Sequence, residues 1–196
     1  MTVVPDSDSG NGCLAPQRPE AMARVFFALW PDAATRAALA RLAQDMRDQC
    51  GGRAMSAGNL HLTLVFLGNV AGGRLPELCS LAQRIVAPAF DLVIDTVGYW
   101  RHNRIVVTSP AQYPTALQTL VAELESALTA AGFDFDKRPY VPHITLVRNA
   151  HRAPLARIHD GISWSVADFA LVQSLRRDRG TVYEAMRSWP LDAKGR

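Results

Sequence analysis

Two short runs of the chain open in the same way. Residues 61–68 read HLTLVFLG and residues 143–148 read HITLVR, so each begins with histidine, an apolar residue, threonine and leucine. In a strand, residues two apart share a face and lie about 6.6 Å apart along it. His61 and Thr63 then point one way, and Leu62, Leu64 and Phe66 point to the opposite, buried side. The same parity groups His143 with Thr145 and puts Ile144 and Leu146 behind them. If the two strands face one another, the cleft between them holds two imidazoles and two hydroxyls. An imidazole titrates near pH 6.5, so one can be neutral while the other carries a proton. One can then deprotonate an attacking water while the other protonates a departing alkoxide. Hydroxyls of Thr63 and Thr145 can donate to the non-bridging oxygens of a phosphate held between them. The chemistry described is in-line displacement at phosphorus, with no metal or organic cofactor called for. Spacing does not say which histidine is the acid or which oxygen leaves. A single run of this kind reads as a core strand with a hydrogen-bonded histidine. The matched pair, each following a helical stretch, reads as a site.

Other candidates are weaker. His102, His151 and His159 lack the flanking pattern and read as surface residues. No third ligand stands at metal spacing from His61 and His143, which argues against zinc. The glycine pairs at 51–52 and 72–73 lack the following lysine and hydroxyl residue of a phosphate loop. GISWS (161–165) lacks the second glycine of a serine-hydrolase elbow. Arg176, Arg177 and Arg179 make a basic turn, read equally as a grip on an RNA backbone or as a solvated hairpin tip. Phe27, Trp30, Trp100 and Tyr140 include more core residues than stacking platforms for a base. Tyr140 is the best placed for stacking.

The elements that must carry these residues are legible in outline. RVFFALW (24–30) is a β-branched and aromatic run ended by Pro31. Asp32 can cap a helix with Leu39, Leu42 and Met46 on its apolar face, closed by Gly51 and Gly52. The first histidine strand follows, then helical spacing at Leu78, Leu81 and Ile85, and strands over 90–97 and 104–108. A helix over 115–131 shows one stripe of Leu117, Leu120, Val121, Leu124 and Leu128. After the second histidine strand, ISWSVADFALVQSL (162–175) reads as one strand and TVYEAM (181–186) as its partner, joined through the turn at 178–180. The order β-α-β-α-β-β-α-β-β-β predicts an α+β fold of bilobal, duplicated β-α-β units. Two antiparallel sheets face across a central cleft, with the helices on the outside.

Bulk properties set limits. The chain has 196 residues, 48% hydrophobic and 20% charged, enough for one core or two small lobes sharing one. No apolar run approaches the roughly 18 residues of a spanning helix, so no membrane role is expected. Residues 1–22 carry no basic start and no apolar stretch, and read as a disordered lead-in to one domain over 23–196, with Met22 a possible alternative start. Cys13, Cys50 and Cys79 are odd in number and without metal spacing, as in a reducing cytoplasm. The net charge of +3, carried mostly by arginine, suits a phosphate-bearing partner without demanding one.

From Arg24 to Leu191 the chain resembles the two-histidine phosphoesterase superfamily, and within it the RNA 2′,3′-cyclic phosphodiesterases, also called the bacterial 2′-5′ RNA ligase family. RVFFALWP resembles the family's opening strand, NLHLTLVFLG and GFDFDKRPYVPHITLVR its two motif blocks, and FALVQSLRRDRGTVYEAMRSWPL its closing hairpin. The resemblance implies His61 as proton donor, His143 as acceptor, Thr63 and Thr145 on phosphate, cleavage of the P–O3′ bond and a 2′-phosphate product. The implied partners are RNA ends or small nucleotides bearing a 2′,3′-cyclic phosphate, with no obligate protein partner evident. Readings kept beside it are an enzyme of small cyclic phosphates, such as an ADP-ribose cyclic phosphate, and a non-catalytic RNA-end binder. Reverse 2′-5′ ligation is chemically open to the same pair. Val65 departs from the basic residue often found there in the family. Arg148 falls where the family often has arginine, yet parity puts it opposite His143. Either the strand stops short, the stem reaches around an edge, or the residue is structural.

Overall fold

The computed structural model describes residues 21–155, 158–178 and 180–192. Residues 1–20 of the expected lead-in lie outside these, and β1 begins at Met22. The elements in chain order are β1 (Met22–Leu29), α1 (Ala33–Cys50), β2 (Arg53–Ala54), β3 (Leu62–Ala71), α2 (Leu75–Ala82), β4 (Phe90–Trp100), β5 (Ile105–Ser109), α3 (Thr115–Ala130), β6 (Ile144–Arg148), β7 (Ile158–Val166), β8 (Asp168–Arg177) and β9 (Gly180–Pro190).

They form two antiparallel sheets, one ordered β3-β1-β8-β9 and the other β2-β6-β5-β4-β7. The duplication is visible in that order. Each sheet places a histidine strand (β3 or β6) beside the strand that precedes it through a helix (β1 or β5) and adds two strands beyond that one, and the second sheet also carries the short β2 outside β6. The helices start and stop for local reasons. Asp32 caps α1 by accepting from the Thr35 N–H at 2.8 Å. Gly51 and Gly52 end it with φ of 69° and 85°, a region other residues resist. A Cβ on Gly52 would lie 2.6 Å from the Arg148 carbonyl oxygen, so this turn lets the chain pass close to β6.

The predicted stripe of α3 is buried throughout, from Leu117 to Leu128. It joins Leu39 and Met46 of α1 and the inner faces of both sheets in one apolar core. A smaller cluster of Phe26, Ala28, Ala170 and Val172 covers the other face of the first sheet, where the cleft lies. No helix among the described residues is long and apolar enough to cross a membrane.

One expected element is two. The run 162–175 breaks at Ala167, whose carbonyl accepts from the Leu191 N–H. The part before it, β7, pairs with β4 in one sheet, and the part after it, β8, pairs with β1 and β9 in the other. Both halves are rich in strand-forming apolar residues with no turn residue between them, so pattern alone reads them as continuous. The two-residue β2, beside β6, gives no periodic signal at all.

Candidate active site

The faces of the two histidine strands are set by bulges. Along β3, Phe27 pairs with Val65 and Ala28 with Thr63, which leaves Leu64 as an extra residue. Along β6, Val106 pairs with Val147 and Val107 with Thr145, which leaves Leu146 as the extra residue. The bulge thus falls on the same leucine of both motifs. Each inserted residue shifts the alternation by one. Leu64 and Val65 are therefore both buried, as are Leu146 and Val147. Phe66 moves to the cleft side with His61 and Thr63, contrary to the expectation that it points into the core. Arg148 likewise joins His143 and Thr145 in the cleft while still within β6, so the strand neither stops short of it nor leaves it on the face opposite His143. Val65 is a core residue.

The resulting cleft encloses about 230 Å³ and brings together His61, Thr63, His143 and Thr145. Both imidazoles are held alike. Nδ1 of His61 lies 2.8 Å from the Asn59 carbonyl oxygen, and Nδ1 of His143 lies 2.8 Å from that of Val141. A carbonyl only accepts, so each Nδ1 carries a hydrogen and each neutral ring presents its Nε2 lone pair. Nε2 of His61 sits 3.1 Å from Thr63 Oγ1.

The rings around the two histidines differ. Trp30 stacks on His61 with centroids 5.7 Å apart, and Phe26 and Tyr183 lie 4.9 Å from it. This aromatic surround strips water from the ring, and burial pushes the imidazole down to about 4, with Arg148 and any charge on His143 acting the same way and the bond to Asn59 opposing them. His143 packs against Trp100 at 4.4 Å. It too is held below the ordinary imidazole value, first by burial and then by Arg148, while its bond to Val141 opposes both. In the free protein at pH 7, His61 is neutral.

Two further surfaces open from the cleft. On one side a trough of about 1040 Å³ carries Arg24, Arg53, Arg148 and Arg176, with Ser174 and Tyr183 between them. None of these arginines is in an ion pair with a described carboxylate. Arg24 lies over the Phe66 ring at 4.9 Å. On the other side a pocket of about 240 Å³ is lined by Trp100, Pro139, Tyr140 and Val141. Tyr140 stands there, its hydroxyl buried and without a partner among the described residues. Burial pushes its proton affinity up, so it stays neutral.

The remaining expectations divide. Phe27 is core, while Trp30 and Trp100 pack on the histidines. Arg176 reaches the trough, Arg177 is spent on Glu184 at 3.1 Å, and Arg179 lies outside the described residues. His159 is not a free surface residue, since its Nδ1 accepts from the Gly161 N–H and its Nε2 meets Thr108 Oγ1. Arg24, Asn59, Ser174 and Tyr183 were not legible as site residues. Three of them come from β1, β8 and β9, and only the sheet order brings those strands to the cleft.

A family model for the 2′-5′ RNA ligase superfamily matches residues 31–178, a span holding both histidine strands. The chain belongs to that superfamily. Among its relatives, the RNA 2′,3′-cyclic phosphodiesterase of Escherichia coli K12 is 35% identical over 170 residues, covering 86% of this chain and 96% of that protein. The protein of the same name from Thermus thermophilus is 30% identical over 184 residues, covering 86% and 90%. In structure, E. coli LigT complexed with 3′-AMP superposes with a TM-score of 0.80 at 33% identity, over 87% of this chain and 99% of that one. A T. thermophilus structure gives 0.75 at 26% identity, over 88% and 100%. The superfamily's fold therefore extends over nearly all the described residues.

Proposed function

We propose that this chain is an RNA 2′,3′-cyclic phosphodiesterase that opens cyclic phosphate ends to 2′-phosphomonoesters, using His61 and His143 as its acid and base. The observation that carries the reading is a single small cleft that holds both histidines and both threonines together with Arg24 and Arg148, the last turned in by the bulge at Leu146. The names of the relatives, the E. coli protein above all, support the same reaction.

The residues divide the work as follows. The cyclic phosphate sits between the two strands, with Thr63, Thr145 and Arg148 on its non-bridging oxygens. His143, neutral and held by Val141, takes a proton from water as the water oxygen attacks phosphorus. The P–O3′ bond breaks opposite the new P–O bond, and the proton of His61 passes to O3′. The product keeps phosphate on the 2′ oxygen. Because His61 is neutral in the free protein, its proton must arrive with the anionic substrate. A 5′-hydroxyl in place of water gives 2′-5′ ligation instead, with the same P–O3′ bond broken and the same proton transfers.

The trough supports RNA over a small cyclic phosphate. Four arginines spread over about 1040 Å³ exceed what one phosphate needs, and suit the successive phosphates of a strand. The apolar pocket beside His143, with Trp100 and Tyr140, suits the terminal base. We take residues 23–196 as the one catalytic domain, since both sheets share a core, and the cytoplasm as its setting, which the odd cysteine count supports.

The test is incubation in excess EDTA with a short RNA ending in 2′,3′-cyclic phosphate. The wild type yields a 2′-phosphate, and His61→Ala and His143→Ala each lose about 100-fold to 10,000-fold. Turnover by either variant at the wild-type rate refutes the assignment. Binding without turnover by the wild type returns the RNA-end binder.

A further inference from the structure

We infer that Asn59 is a positioning residue for His61, and that it acts by fastening the turn before β3 to the far edge of the curled first sheet. The inference rests on the reaction proposed above. It begins from an oddity of the sheet order. β3 and β9 are the two edges of the sheet β3-β1-β8-β9. Yet the residues just before β3 touch β9. Asn59 Nδ2 donates to the Thr181 carbonyl at 2.7 Å, and the Tyr183 N–H donates to Asn59 Oδ1 at 3.1 Å. A sheet whose opposite edges meet through one side chain is curled almost into a barrel, and Asn59 closes the curl.

The carboxamide does this as a strand residue would. Thr181 and Tyr183 are two apart, and β9, as an edge strand, has a row of backbone groups facing away from β8. An amide offers one acceptor and one donor in a plane, which matches one N–H and one carbonyl of such an edge. Aspartate keeps only the acceptor, and serine is too short to span both.

The same residue holds the imidazole by its backbone. The Asn59 carbonyl accepts from His61 Nδ1–H at 2.8 Å and so fixes both the tautomer and the ring orientation. That carbonyl belongs to a three-residue 3₁₀ turn over Ala57–Asn59, which contributes no buried residue to the core. The buried Leu60 that follows holds the turn from the core side, and the side-chain clamp ties it to β9 on the other. The clamp also fixes Tyr183, whose ring meets His61 edge-on at 4.9 Å. Among the described residues His143 has no equivalent, and its carbonyl partner belongs to exposed Val141. The two histidines are oriented by the same bond and secured by different means.

Asn59→Ala should keep the fold and loosen the ring. With a saturating cyclic-phosphate RNA, kcat is expected to fall about 10-fold to 30-fold, as for loss of one orienting hydrogen bond, with KM within about twofold. Asn59→Asp, which keeps the acceptor for Tyr183, should fall between that and the wild type. Ala57→Ser, exposed in the same turn, should leave kcat unchanged. A second readout needs no substrate: the His61 Nδ1–H proton, observed by NMR in water, should be slow to exchange in the wild type and broadened in Asn59→Ala. An unchanged kcat in Asn59→Ala would overturn the inference, as would an equally protected Nδ1–H. If the wild type has no activity on cyclic phosphates, the proposed reaction fails, and the exchange measurement still decides for or against the clamp.

Discussion

An anion in the cleft should restore to His61 the proton that burial removes. In the free protein its imidazole is pushed down to about 4, so at pH 7 about one molecule in a thousand carries that proton. Such a group is a poor acid until something changes its surroundings. An anion whose oxygen accepts from Nε2 would place its charge about 4 Å from the ring. At an effective dielectric constant near 20, each unit of charge there favours the imidazolium by about 4 kcal/mol, or about three pKa units. Arg148 and Arg24 line the same cleft and share the anion, so a net rise of about two units is the expected outcome. His61 should then titrate near pH 6 in the complex.

Sulfate is the suitable probe because its charge is constant over this range. The assay follows the histidine Cε1–H resonances from pH 4 to 8, with and without saturating sulfate, assigning them through His61→Gln and His143→Gln. The sign follows from linkage. A pKa raised by the ligand means that binding takes up a proton, so sulfate affinity should rise as pH falls through about 6 towards 4. The reasoning is refuted if His61 titrates near 6.5 in the free protein, because the aromatic surround would then not exclude water. It is equally refuted if His61 stays near 4 with sulfate bound. In that case the proton for the leaving oxygen must come from another group.

Two other predictions concern the guanidinium groups. Arg148 lowers both imidazoles in the free protein, so Arg148→Met should raise both titrations in the same NMR experiment. It should also raise KM for cyclic-phosphate RNA by about tenfold, the loss of one charge-assisted hydrogen bond; unchanged values on both counts would place Arg148 outside the site. Along the trough, Arg24→Ala, Arg53→Ala and Arg176→Ala should each reduce the slope of log affinity against log salt by about 0.7 for single-stranded RNA. A slope that none of the three changes would mean that the strand runs elsewhere.

Much of this site was legible because its chemistry is written in local pattern. Histidine, an apolar residue, threonine and leucine on a strand, twice, named the four central residues, and the stripe of Leu117 to Leu128 named the helix behind one of the strands. What pattern could not give is register. Phe66 and Arg148 were placed on the wrong face because a bulge at Leu64 or Leu146 leaves no local mark. It exists only in the pairing with Phe27 and Ala28, or with Val106 and Val107. The break at Ala167 was hidden for the same reason, as were Asn59 and Tyr183, which meet only because the first sheet curls.

Those hidden features also answer a question that the duplicated motifs raise. Acid and base must differ, yet two copies of one motif start out alike: the same bulge, the same threonine, the same carbonyl bond to Nδ1. The difference lies at the residue that each bulge turns into the cleft. In the first copy that residue is Phe66, part of the aromatic layer with Phe26, Trp30 and Tyr183 around His61. In the second it is Arg148, a fixed cation that disfavours a proton on His143. On the proposed roles, the Arg148 cation, which adds to burial in disfavouring a proton on both rings, helps to keep His143 the base. An uncharged aromatic wall beside His61 leaves its protonation to the charge of whatever occupies the cleft. On this assignment the acid is armed only when an anionic substrate is bound, and one position, three residues after each threonine, separates the two roles.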